Sequence, residues 1–241
     1  MTTETARTVL ITGATRGLGA EASRRLAGLG FAVWLGARDA TAGEEVAAKI
    51  RADSPDADLH VVELDVTSDD SARAAYDVVA RTGTGLDVLV NNAGVSGRFV
   101  APVDTTPADF VEVFGVNLLG PVRVINTFLP LLRESEDPRV VMVSSGMGSF
   151  AVTMDPDRIE STMHGLAYPS SKSALNMVTT MYAKSLPDLS VVAVDPGYTA
   201  TDLNARAGRQ TVTEGTDAIV EACTAPSPPA LFFDRFGPVG W

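Results

Sequence analysis

Short apolar runs that alternate with helix-length windows are the feature that most limits what this chain can fold into. Thr8–Thr12, Ala32–Ala37, Leu59–Leu64, Val88–Asn91, Val140–Ser144, Ser190–Val194 and Ala230–Phe233 are mostly rich in Val, Ile and Leu without polar alternation. Strands buried on both faces of a sheet read this way. Between them lie the helical windows Gly17–Leu29, Thr41–Ala52, Ser68–Arg81, Pro107–Arg133, Ala167–Leu186 and Val212–Ala222. Pro107 stands behind a candidate cap, Thr106, where its missing N–H costs nothing. Strand–helix–strand repetition predicts a parallel, doubly wound α/β sheet of seven strands with helices on both faces. No linker or composition break divides residues 1–241, so one domain is expected. Two stretches leave the rhythm, Gly146–Gly165 and Pro196–Gln210. Both begin at carboxyl ends of strands, where ligands bind in such sheets, which makes 146–165 and 196–210 the candidate substrate loops.

The turn after the first strand reads Thr12-Gly13-Ala14-Thr15-Arg16-Gly17-Leu18-Gly19. Glycine lets a backbone approach a pyrophosphate without a Cβ in the way, and the helix N-terminus behind it offers free N–H groups to an anion. Its position between first strand and first helix is that of a dinucleotide-binding, Rossmann-type turn. The second strand ends in Ala37-Arg38-Asp39. An acid at this strand end binds a ribose hydroxyl, whereas an arginine accommodates a 2′-phosphate. With Ala37 in the acidic position, Arg38 and Arg16 predict NADPH/NADP+ over NADH, unless Arg38 only pairs with Asp39 or another carboxylate.

Tyr168-Pro169-Ser170-Ser171-Lys172 places a phenol and an amine on one face of a helix. A phenol near pKa 10 is a poor base at neutral pH. A neighbouring ammonium lowers that value toward what acid–base catalysis needs. Alone, the pair would read as two surface residues.

It occurs in order with Thr12–Gly19, Asn91-Asn92-Ala93-Gly94, Asn117, Val143-Ser144-Ser145 and Pro196-Gly197. Together these resemble the classical short-chain dehydrogenase/reductase family over nearly the whole chain, closest to its carbonyl-reductase-like subgroup. The resemblance implies that Tyr168 gives a proton to a carbonyl oxygen and that Lys172 tunes Tyr168 and bonds the nicotinamide ribose. It implies that Ser145 hydrogen-bonds the substrate oxygen, with Ser144 as the neighbouring alternative, and that Asn117 positions a water linking Lys172 to solvent. For the cofactor it implies Gly13, Thr15, Arg16, Gly17, Leu18 and Gly19 at the phosphates, and Arg38, Asp65 and Val66 toward the adenine end. Ala93, Gly94 and Asn91 come from the Asn-Asn-Ala-Gly turn, Asn91 being either a contact or mainly structural. Pro196, Gly197, Thr199 and Thr201 hold the carboxamide and pyrophosphate side. The Ser145–Tyr168 gap is longer than in many classical members. The carbonyl-reductase subgroup carries an insertion at the same place that favours monomers; the one here is shorter, so monomer and homodimer both stay open. Phe110, Val113, Phe114, Leu118, Ile125, Phe128 and Leu132 make the preceding helix apolar on most faces. Met147, Met154, Met163 and His164 sit in or beside the insertion and either line an adaptable apolar pocket or pack the loop down.

The implied activity is NADPH-dependent reduction of a ketone or aldehyde, a small-molecule substrate. The alternatives are alcohol oxidation on the same fold and a non-catalytic NADP(H)-binding regulator. The four-residue set Asn117, Ser145, Tyr168 and Lys172 argues against the regulator. The 40 residues after Thr201 are too few for the larger substrate domain of extended relatives. A net charge of −11 without any basic cluster excludes nucleic acid and anionic membranes as partners. The polar start Met1–Thr8 carries no apolar signal core, and no run reaches the ~20 residues that span a bilayer, so the expected location is cytoplasmic. The single cysteine, Cys223, is expected to be an inert, partly buried thiol, and His60 to be structural. No His, Asp or Glu cluster has metal-ligand spacing, so no metal is expected.

Overall fold

The computed structural model describes residues 6–241; the first five residues of the polar Met1–Thr8 stretch lie outside the described residues. Seven strands run parallel: β1 (Thr8–Thr12), β2 (Ala32–Ala37), β3 (Leu59–Glu63), β4 (Val88–Asn91), β5 (Arg139–Val143), β6 (Ser190–Val194) and β7 (Phe232–Asp234). An eighth, β8 (Gly237–Pro238), turns back antiparallel on β7, and the sheet order is β3-β2-β1-β4-β5-β6-β7-β8. The seven-strand expectation missed β8 because two residues, one of them proline, carry no strand periodicity. What makes β8 is a tight turn in which the Phe236 amide donates to the Asp234 carboxylate at 2.7 Å.

Side chains alternate across the sheet, and each face is covered. Along β1, Val9 and Ile11 join a core with Val33, Leu35, Leu26 and Phe233, whereas Leu10 points to the opposite core with Trp34, Leu89 and Phe128. The first core is closed by α1 (Gly17–Gly28), α2 (Ala40–Asp53) and α9 (Asp217–Thr224); the second by α3 (Asp69–Ala80), α5 (Gly120–Leu132) and α7 (Ala167–Ser185). Local chemistry sets the helix starts. Asp39 caps α2 by accepting from the Thr41 and Ala42 amides, and Ser68 caps α3. Thr106 and Asp109 form a capping box at α4 (Pro107–Phe114), with Pro107 in the first turn.

The expected single helix Pro107–Arg133 is interrupted. Gly115–Leu119 forms a π-turn between α4 and α5, in which the Gly120 amide reaches back to the Gly115 carbonyl. Pro121 has no N–H to give the Asn117 carbonyl, so the regular ladder cannot continue there. His60 stacks on Trp34 at 4.6 Å and pairs with Asp58. Among the described residues, no helix is long and apolar enough to cross a membrane.

Strand order reverses between β1, which leads to β2 and β3, and β4, which leads to β5 and β6. A crevice opens at that switch point, outside the carboxyl ends of the strands.

Candidate active site

A cleft of about 860 Å³ lies at this crevice. One end is built from strand-end turns. α1 starts at Arg16 in extended conformation, with no side-chain cap and no acid in its first turn. Its amides are therefore free for an anion. Gly13 holds φ +65°, and a Cβ there would lie 2.9 Å from the Ala93 Cα. A side chain at residue 13 would both strain the turn and push the β4 turn away. Arg16, Gly17, Leu18, Thr15 and Gly13 line the cleft, as do Arg38, Asp65, Val66, Ala93, Gly94, Pro196, Gly197, Thr199 and Thr201. Among the described residues neither Arg16 nor Arg38 forms an ion pair, so the pairing of Arg38 with Asp39 is not made. Asp39 spends its carboxylate on the α2 cap instead. Open amides, two uncommitted guanidiniums and a turn that admits no Cβ fit the pyrophosphate and adenosine half of a dinucleotide.

Three expected cofactor or catalytic residues do not line the cleft: Gly19, Asn91 and Asn117. Gly19 is packed behind the turn, where a Cβ would collide with the Gly13 carbonyl and lie 2.5 Å from the side-chain Nδ2 of Asn92. Asn91 is 3% exposed and turns into the sheet toward Met142, because alternation along β4 points it away from the crevice. Its neighbour Asn92 lines the cleft. Asn92 donates to the Thr12 and Gly13 carbonyls at 2.8 and 3.1 Å, and Thr12 Oγ accepts from the Asn92 and Ala93 amides. Asn92 thus ties the β4 turn to the glycine turn, and the Asn-Asn-Ala-Gly spacing alone could not say which asparagine faces which way. Asn117 lies on the π-turn at 1% exposure; its side chain accepts from the Val95 amide and donates to the Val95 carbonyl (both 2.9 Å) and to Ser171 Oγ (3.1 Å).

The other end gathers Ser145, Tyr168 and Lys172. Ser144 commits its hydroxyl to Asn176 at 2.5 Å, whereas Ser145 Oγ accepts from the Met147 amide at 3.2 Å and stands on the cleft wall with Tyr168. That orientation separates the two serines. Lys172 is 4% exposed; its ammonium donates to the Val143 carbonyl at 2.7 Å and stands 5.7 Å from the centre of the Tyr168 ring. Here one expectation is corrected. Burial pushes the Tyr168 phenol up to about 12, opposed by the Ser145 hydrogen bond and assisted by Asp195. The Lys172 ammonium donates to the Val143 carbonyl rather than to the phenol oxygen, and burial outweighs the lowering expected of it. Burial also drives Lys172 down to about 8, with Asp195 opposing. The phenol is therefore held neutral at physiological pH, the form that gives a proton.

The insertion contributes α6 (Phe150–Thr153) and a short 3-10 turn, Ile159–Thr162. Its methionines divide: Met147 and Met163 line the cleft with Phe99, Ile159 and Tyr198, while Met154 is 80% exposed. His164 does not reach the cleft wall. The insertion is pinned to the C-terminus through Ser149 Oγ to the Gly240 carbonyl at 2.6 Å and Ala151 N to the Trp241 carbonyl at 3.0 Å. Two acids to which the sequence assigns no role, Glu160 on the insertion and Asp195 at the start of the Asp195-Pro196-Gly197-Tyr198 turn that also resembles the carbonyl-reductase subgroup, are both buried. Only their packing marks them, because an acid in an irregular loop is normally solvated. Cys223 is fully buried rather than partly so, and burial raises its thiol to about 12.

A parallel sheet with its crevice at the switch point, a glycine turn on an uncapped helix and a half-buried Tyr168 beside a buried Lys172 define a Rossmann-like oxidoreductase. The comparisons make this specific. The chain belongs to the short chain dehydrogenase family, whose model matches residues 7–211. It is 36% identical over 230 residues to the short-chain dehydrogenase anuI of Penicillium roqueforti, covering 93% of this chain and 91% of that one. It is 30% identical to (+)-neomenthol dehydrogenase of Arabidopsis thaliana, covering 98% of each. NADPH-bound carbonyl reductase from chicken fatty liver superposes with a TM-score of 0.86 at 28% identity, over 98% of this chain and 99% of the other.

Proposed function

We propose that this protein reduces a ketone or aldehyde to an alcohol at the expense of NADPH, with Tyr168 as the proton donor. The observation that carries the reading is the half-buried Tyr168, its phenol held neutral, beside Ser145 and Lys172 on the wall of a dinucleotide-sized cleft. A bound NADPH supplies the hydride. Ser145 and Tyr168 hold the substrate oxygen between two hydroxyls, and Tyr168 delivers its proton there as negative charge develops. Arg16 and Arg38 bind the 2′-phosphate, which selects NADPH; Gly13, Thr15, Gly17 and Leu18 receive the pyrophosphate, with Thr199 and Thr201 closing over it. Asp65 and Val66 flank the adenine, and Ala93 and Gly94 line the ribose side. Asn117 acts from behind, fixing Val95 and the helix turn that carries Lys172. Loops 146–165 and 196–210 form the substrate walls. Met147, Met163, Phe99 and Tyr198 suit a largely apolar carbonyl compound.

A panel of ketones and aldehydes, followed by NADPH consumption with NADH as control, tests the reading. Tyr168→Phe lowers kcat on the best substrate by roughly 10²–10⁴-fold. Tight NADPH binding without turnover on any carbonyl, or a Phe variant as active as the parent, overturns it.

A further inference from the structure

Phe99 stands apart from the other large apolar side chains of the fold. It belongs to neither core and is 50% exposed, yet it lines the cleft. The segment that carries it is anchored on one side by α4 and the π-turn. Val95 exchanges two hydrogen bonds with Asn117. Gly97, at φ +63°, lies so close to the fully buried Val113 that a Cβ would collide with it. Arg98 pairs with Asp109 at 2.9 Å. These anchors fix where residue 99 begins. On the other side the ring rests on Gly165, at the end of the insertion. A Cβ on Gly165 would lie 2.8 Å from Cε2 and 2.9 Å from Cζ of Phe99. The ring edge therefore fills the space that any side chain at 165 would need. Gly165 is outside the left-handed region, so the ring, and not the backbone, is what demands glycine there. Tyr168 follows three residues later on the same run of chain.

We infer that Phe99, seated on the bare Gly165, is the residue that sets substrate size. Its ring bridges the loop after β4 to the insertion and closes the pocket on that side, so compact carbonyl compounds enter ahead of bulky ones. The inference deepens the reductive reading above and rests on it for the effect on turnover; the contact itself and the selection in binding are measured without it. A ring kept only for stability would be packed within one of the cores, where its whole surface leaves water. Half in solvent, Phe99 gives up much of that gain, and what its place provides instead is a flat apolar barrier at the cleft. Met147, Ile159 and Met163 continue the wall from the insertion. Methionine yields to the shape of a ligand by rotating about its flexible chain. An aromatic ring is rigid, and one seated on a glycine cannot recede toward that glycine. Phe99, rather than the methionines, therefore fixes the limit, and Gly165 is the floor that lets the ring lie where it does.

Two ketones, cyclohexanone and the bulkier 2-decalone, give the test. Their Kd values are taken by titration calorimetry on protein loaded with the oxidised dinucleotide, which blocks turnover, and kcat/KM is then taken with the reduced one. Phe99→Ala raises the preference for 2-decalone over cyclohexanone by roughly tenfold or more, the discrimination typical of one methylene in an apolar pocket. Phe99→Trp lowers it. Gly165→Ala displaces the ring, whose outer half is free to move, and so changes the preference in the parent but not in Phe99→Ala. The contact is read by NMR on protein labelled with carbon-13 at the glycine Cα: the signal missing from Gly165→Ala is one that shifts in Phe99→Ala. An unchanged preference in Phe99→Ala overturns the proposal. So does a Gly165→Ala effect of the same size in both backgrounds, or a Gly165 signal indifferent to Phe99. A shifted Kd preference with no turnover of either ketone in the parent overturns the proposed reaction and leaves the size assignment standing. Binding of neither ketone by any of these proteins sinks both.

Discussion

Asn117→Ala should cost the fold more than its position off the cleft wall suggests. The carboxamide makes three hydrogen bonds, two at 2.9 Å to the backbone of Val95 and one at 3.1 Å to Ser171. The Ser171 bond is buried and the two to Val95 are partly buried. Truncation leaves the Val95 amide, the Val95 carbonyl and Ser171 Oγ without this partner. At about 1 kcal/mol per bond the loss is about 3 kcal/mol. For a domain of this length each kcal/mol moves the melting temperature by about 2–4 °C, so the variant melts roughly 6–12 °C lower. Val95 and Ser171 are the links by which Asn117 reaches the cleft and the Lys172 turn, so turnover falls as well. The assay is calorimetry on parent and variant, with kcat on one substrate, and a Ser171→Ala cycle to isolate the 3.1 Å bond. A melting temperature within about 2 °C of the parent would refute the reasoning, because it would mean that these backbone groups find other partners at no cost.

Three further outcomes follow from the same geometry. Cys223, fully buried and with its thiol raised to about 12 by burial, stays unreactive to a thiol reagent in the native protein and reacts on denaturation; fast native labelling would contradict its placement. Gly13→Ala adds a Cβ at φ +65° and 2.9 Å from the Ala93 Cα; a cost of roughly 1–2 kcal/mol from the backbone alone lowers the melting temperature and weakens binding of the nicotinamide dinucleotide, and an unchanged pair of values counts against the turn geometry. Asp195 has a folded-state pKa of about 6 against an ordinary 3.8. A carboxyl raised in this way favours folding below its unfolded value, and that contribution is lost as pH climbs to the folded one. Asp195→Asn therefore melts level with the parent near pH 3.8, gains over it up to about pH 6, and keeps the gain above; a difference independent of pH would show that Asp195 is not the titrating group.

Much of the architecture follows from local order in the chain. Unbroken Val, Ile and Leu runs can only be strands buried on both faces, and their alternation with helical windows leaves little besides a parallel, doubly wound sheet. Thr106-Pro107 and the Gly13–Gly19 turn could also be read directly, since a cap and a left-handed glycine are local events. The Tyr168–Lys172 spacing likewise put both side chains on one helix face. Tertiary structure decided what depends on neighbours remote in the chain. Which asparagine of Asn91-Asn92 faces the crevice depends on the phase of β4 in the sheet. The direction of the Tyr168 shift depends on how completely the phenol is desolvated and on where the Lys172 proton points, and neither has a signature in spacing. Glu160 and Asp195 lie 35 positions apart in irregular segments; only the packing of the insertion onto the Pro196–Gly197 turn buries them together. Burial sets the free energy of a charge, and burial is a property of the whole fold.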